Sequence, residues 1–252
     1  MRGPGAGHRT QARWPKEKYH AMTESAPQWS LAAELQKIAD TDETTDALVA
    51  LGLLSQPQAA YQLRSDAEWT RGGAETYLYR FQVVEEGGPT RDVVIKACVA
   101  YSPATPLESI LDRWLVRRGL LQKNGVATPH LYAWGHGVIL EEYLPHPLAE
   151  VLSAPQSTRE TLLTGIAHYA AVLSKLGFAA VAPFADLRSR GEDVVAIDFG
   201  QDLGDPGVKD SPRPEMFGLL TSYLQGLGLS FDGAELDRLR AVFATFEGEL
   251  LH

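Results

Sequence analysis

The sequence predicts an α+β protein, strand-rich in its first half and helical in its second. Three observations carry that prediction. Runs of β-branched and aromatic residues cluster between Ala60 and Leu140. Helical periodicities dominate after Thr158. Between them, Tyr143–Leu148 (YLPHPL) fits neither pattern and reads as a connection between two units. The expected organisation is a disordered tail over 1–28, a sheet-bearing unit over 29–142 and a helical unit over 143–252.

The elements follow in order. The basic, Gly- and Pro-containing stretch Met1–Ala21 reads as a tail, with Met22 as an alternative start. Ser30 is a candidate N-cap for a helix with Leu31, Leu35 and Ile38 on one face, and a second short helix is expected over Thr44–Leu54. Ala60–Ser65, Tyr77–Val84 and Arg91–Ala100 read as strands, the last two joined by a turn at Glu85–Pro89. Pro106–Lys123 is amphipathic and helical. Val126–Tyr132 and Gly137–Leu140 read as strands with a turn at Trp134–Gly137. A buried helix is expected over Thr158–Leu176, a strand before Asp198, and helices over Pro214–Leu227 and Gly233–Leu251.

Composition narrows the function classes. The chain has 252 residues, 44% of them hydrophobic, enough for a sizeable core. A net charge of −9 gives no basis for broad nucleic-acid binding. Cys98 is the only cysteine, so an internal disulfide and a Cys-based zinc site are excluded. No apolar run reaches the ~18–20 residues of a membrane span. The first twenty residues hold no apolar signal-peptide core. A cytoplasmic protein without membrane partners is expected. His130, His136, His146 and His168 show no metal-ligand spacing, and Trp114 and Tyr169 read as core residues.

Chemistry is concentrated in four segments. Thr70–Thr76 (TRGGAET) carries Gly72 and Gly73, whose backbone could approach an anion closely, although a hairpin turn has the same composition. Lys96 lies inside the apolar run VVIKACV, where an ammonium needs a partner. Glu108 on the following helix is the expected partner, with Asp112 as the substitute. Val138–Pro145 (VILEEYLP) carries an apolar strand into Glu141, Glu142 and Tyr143. Val194–Asp205 (VVAIDFGQDLGD) delivers Asp198 from a strand end, as a hard ligand for a divalent ion on nucleotide phosphates.

In this order the four segments resemble the aminoglycoside-phosphotransferase and choline-kinase branch of the protein-kinase-like superfamily, from about Thr70 to Asp210. GVATP at 125–129, ILEEYLP at 139–145 and IDFGQDLGDPGVKD at 197–210 carry the detail. The resemblance implies a two-lobed kinase-like fold, with ATP and Mg2+ as cofactors if the protein is active. It implies nucleotide contacts from Gly72, Gly73, Lys96, Glu108, Glu141 and Tyr143, the last two through hinge backbone groups. It makes Asp198 a metal ligand, and Asp205 and Asp210 anchors of a loop below the site.

One part of the pattern is absent. Working members carry an HGDxxxxN-type loop, whereas Gly177–Arg188 reads GFAAVAPFADLR. Asp186 is either the catalytic acid of a shortened loop, with Arg188 stabilising charge, or a metal ligand in the Asn position. In the second alignment the base position falls near Val181, and the spacing to Asp198 fits better. The resemblance therefore implies phosphoryl transfer to a hydroxyl of a small molecule or peptide in a bacterial biosynthetic pathway. The alternatives are a pseudokinase that binds a peptide, alone or with a partner enzyme, and assists dehydration or thioether-ring closure, or an antibiotic phosphotransferase.

Overall fold

A computed structural model describes residues 30–65, 70–71, 76–99, 106–152, 156–178, 180, 183–200, 203–204 and 215–249. Gly72, Gly73, Val181, Asp205, Asp210 and the N-terminal tail lie outside the described residues.

The chain is mixed α+β. It begins with α1 (Leu31–Ala39) and α2 (Thr44–Ala50). Ser30 stands at the N-cap, but its side chain makes no capping bond; α1 ends where Asp40 turns left-handed at φ 55°. Next come β1 (Tyr61–Ser65), the two-residue β2 (Thr70–Arg71), β3 (Thr76–Glu85) and β4 (Thr90–Cys98). Helix α3 (Leu107–Lys123) precedes β5 (Leu131–Gly135) and β6 (Val138–Glu142). The sheet is antiparallel with order β1-β3-β4-β6-β5, and β2 pairs with β3.

Strand alternation sorts the sheet's two faces. Phe81, Val83, Val93, Ile95, Val138 and Leu140 turn one way and form a core with Leu35, Leu48 and Leu53 of the N-terminal segment. The residues between them, Lys96, Cys98, Ile139 and Glu141, turn the other way, toward α3. Glu141 is buried although charged, so this second face is not a purely apolar one.

The remaining elements are α4 (Leu148–Val151), α5 (Gln156–Leu176), the hairpin β7 (Leu187–Arg190) with β8 (Asp193–Ala196), α6 (Met216–Gly226) and α7 (Gly233–Glu249). Their core centres on α5, where Leu162, Ile166, Ala170, Val172 and Leu173 are fully enclosed. It runs continuously to α3 through Trp114 and Leu121. Among the described residues no helix is long and apolar enough to cross a membrane.

Two expectations change, and one element was not expected. The strand expected over Val126–Tyr132 begins only at Leu131. Pro129 has no N–H to give a ladder, and the residues before it instead reach the hairpin, where Ala196 N–H donates to Ala127 O at 3.0 Å. Gly177–Arg188 is not all loop: Leu187 and Arg188 open β7, which pairs Leu187 with Ala196. Helix α4 was not legible, being only four residues long.

Candidate functional site

Lys96 sits near the C-terminal end of β4, opposite Leu78 of β3 and Ile139 of β6. Glu141 lies two residues along β6 from Ile139, on the same face and diagonal to Lys96. The two side chains meet with Lys96 Nζ 2.6 Å from Glu141 Oε1. Both are withdrawn from water, Glu141 to 1% exposure and Lys96 to 7%. The ammonium also donates to the Ile197 carbonyl and lies 5.6 Å from the Trp114 ring centroid. Glu141 Oε2 is buried without a hydrogen bond. Burial pushes the Glu141 carboxyl above its ordinary range, against the pull of Lys96 and Arg118.

This pairing corrects one expectation. Glu108 is exposed, as is Asp112 one turn on, and neither reaches Lys96. The inward stripe of α3 is Ile110, Leu111, Trp114, Arg117, Arg118 and Leu121. Helical spacing turns Glu108 away from that stripe. The acid for the strand lysine therefore comes from the neighbouring strand.

The two arginines in the stripe are buried because their stems are apolar and their heads find carbonyls. Arg117 donates to Phe199 O at 3.2 Å and also to Gly200 O. Arg118 donates to Pro129 O and lies 5.9 Å from the Trp114 centroid. Trp114 in turn meets Phe199 edge-on at 4.9 Å. Thus α3 holds the Asp198-Phe199-Gly200 turn by backbone and ring together. Asp198 closes that turn itself, its Oδ1 accepting Gly200 N–H at 2.8 Å.

The β7–β8 hairpin brings the two candidate metal ligands close. Asp186 directly precedes β7, Asp198 follows β8 by two residues, and Ile197 N–H donates to Asp186 O at 3.3 Å. Tyr169 of α5 is buried beside them. Burial first, then the charges of Asp186 and Asp198, raise its phenol well above the ordinary range and keep it protonated. Arg188 is half-buried in β7 and donates to Leu187 O at 3.0 Å; burial raises the Tyr223 phenol above its ordinary range, with Arg188 opposing that rise and Asp186 adding to it. One neighbourhood therefore contains Lys96, Glu141, Asp198, Asp186 and Tyr169, with Arg188 at its edge.

The hinge residues are committed differently from the expectation. The Glu141 side chain serves Lys96. Glu142 N–H donates to His130 O at 2.8 Å and Tyr143 N–H to Asp92 O at 3.0 Å. The Tyr143 ring carries the Arg80 guanidinium at 4.2 Å. Among the described residues, Leu144 is the first past β6 whose N–H has no protein acceptor.

Sequence reasoning did not single out Arg117 or Arg118. Their signal was present: both fall at helical spacing within a stripe whose other members are apolar. No protein-family model matches the chain, and no curated protein is similar to it.

The donor set fits a magnesium ion carried on phosphates in one respect and resists it in another. Two neighbouring carboxylates suffice where phosphate oxygens and water complete the shell. Among the described residues no cluster of three or more acids, histidines or cysteines could hold a metal without such help. Lys96 is already occupied by Glu141 and Ile197, so a phosphate would have to displace the carbonyl.

Proposed function

We propose that this chain is a kinase-fold phosphotransferase-like protein that transfers a phosphoryl group from ATP to a hydroxyl of a small molecule or peptide. The observation that carries this reading is that Ile197, the neighbour of Asp198, donates its N–H to Asp186 O across the β7–β8 hairpin while its own carbonyl holds Lys96. Asp186 and Asp198 would hold a divalent ion, and Leu144 N–H is the open hinge donor for a base. Bound Mg-nucleotide would supply the phosphoryl group and neutralise its developing charge.

The chain's own residues have clear tasks in that reading. Asp198 keeps one oxygen on Gly200 N–H and the other for the ion. Glu141 holds Lys96 at the sheet face. Arg117 and Trp114 fix the turn that aims Asp198. Phosphoryl transfer rests on positioning and charge neutralisation, so it tolerates a weak base. Asp186 at the mouth of β7 matches the alignment in which it is a metal ligand; Val181, at the base position, lies outside the described residues.

A second reading has one observation in its favour. Lys96 is enclosed, with its charge already balanced by Glu141. That favours a pseudokinase that binds a peptide without a nucleotide. The deciding experiment is thermal denaturation of the full chain with and without Mg-ATP, with ADP release measured beside it. The phosphotransferase reading expects a metal-dependent rise in Tm that Asp198→Asn abolishes, and slow ADP release. The absence of both a Tm shift and ADP release in wild type rejects it. Peptide binding that survives Asp198→Asn and Lys96→Met then supports the second reading.

A further inference from the structure

On the far side of Glu142 from Lys96, a cleft of about 1010 Å³ opens where the start of β4, the end of β6, the second half of α3 and the β7–β8 turn converge. Arg91, Arg118, Arg190 and His130 line it, with Asp92 and Glu142 as its acids. The proposed nucleotide site uses neither arginine of the first pair.

The ion pairing here is uneven. Asp92 Oδ1 is taken by Arg80 at 3.0 Å and Gln82 at 2.9 Å. Glu142 is forked onto Arg190, with Nε on Oε1 at 3.2 Å and the terminal nitrogen on Oε2, and it also accepts His130 N–H at 3.0 Å. Glu142 is therefore fully engaged, and Asp92 is engaged through Oδ1 by residues other than the cleft's arginines. Arg91 has the Tyr132 phenol, and Arg118 has the Pro129 carbonyl, the Trp114 ring and the pull of Glu141, but neither forms an ion pair among the described residues. The Nε atoms of Arg91 and Arg118 are buried with no acceptor. Arg118 is itself only 8% exposed.

Two guanidinium groups without their own carboxylate are unexpected in a chain of net charge −9. A buried cation without a partner is costly, and a guanidinium fork suits planar or tetrahedral oxyanions. We infer that this cleft binds a phosphorylated small molecule, with Arg91 and Arg118 as its anchors. Phosphate is favoured over carboxylate because two forks and the exposed His130 ring offer more donors than two oxygens accept. Pro129, Leu131 and Tyr132 provide walls for the organic portion. Arg118 stands between this cleft and Glu141, so an occupant would also bear on the Lys96 pair.

The test is calorimetric titration of the full chain with inorganic pyrophosphate, in EDTA and low salt. Saturable binding is expected below ~10 mM, where a site with Kd of about 1 mM is well filled. Arg91→Gln should weaken it roughly tenfold or more, the loss of one charge-assisted contact. Glu142→Gln should tighten it, by removing the cleft's negative charge and freeing Arg190. Asp198→Asn should leave it unchanged, which separates this cleft from the proposed nucleotide site. Absence of saturable binding overturns the inference. So does binding lost in Asp198→Asn but retained in Arg91→Gln. Arg91 is only half-buried and Glu142 faces solvent in part, so both variants are expected to fold.

Discussion

Lys96 and Glu141 form an ion pair between adjacent strands of one sheet, 2.6 Å apart and almost dry. A pair of this kind is costly to break and cheap to replace whole. Lys96→Met alone, or Glu141→Leu alone, should each cost about 3–5 kcal/mol by leaving the other charge buried. The double variant should lie within about 1–2 kcal/mol of wild type or above it. Urea denaturation of the four proteins measures the cycle; additive losses would mean the pair is not buried as described.

The same carboxyl gives a pH dependence with a definite sign. Burial raises Glu141 above its ordinary value of 4.5, so the folded state holds its proton to higher pH than the unfolded chain. The contribution of this group is fully present below the ordinary value and is lost as pH rises through the raised one. Wild-type stability, taken relative to the Lys96→Met/Glu141→Leu double variant, should therefore fall as pH climbs above 4.5. A rising difference across that window would refute the assignment.

Arg117 satisfies two carbonyls in the turn after Asp198. Arg117→Met keeps most of the stem's packing but leaves Phe199 O and Gly200 O without that donor. A loss of about 1–3 kcal/mol is expected, together with weaker Mg-ATP protection if the turn presents Asp198. Equilibrium unfolding reads the first effect and a ligand-induced Tm shift the second.

Gly165 of α5 faces the hairpin that delivers Asp198. A Cβ there would lie 2.8 Å from Val194 Cγ2, closer than side chains tolerate. Gly165→Ala should destabilise by about 1–3 kcal/mol through overpacking, despite Ala's better helix propensity. Adding Val194→Ala should recover part of that loss. A stabilised single variant would show that α5 and β8 pack more loosely.

Periodicity carried most of the fold. The long elements, α3, α5, β3 and β4, were readable because each repeats its apolar positions many times. Among the four-residue elements, α4 and β7 have too few positions to show a period, whereas β8 was expected from the apolar run before Asp198. The residues of this neighbourhood were readable as charged groups in apolar surroundings, but their pairing was not. Lys96, Glu141, Asp186 and Asp198 were all named, yet Glu108 was given the role that Glu141 holds. Linear order favours the next helix; strand register, which sets Glu141 diagonal to Lys96, follows from pairing across 44 intervening positions. Arginines in a buried stripe were overlooked for a related reason: charge reads as surface until carbonyls appear to receive it.

Adjacent on α3, Arg117 grips the Asp198 turn while Arg118 reaches Pro129. Swinging or rotating the helix would strand three carbonyls and two cations at once. The helix therefore acts as a strut between the sheet and the hairpin, and moving it would cost all of these contacts together.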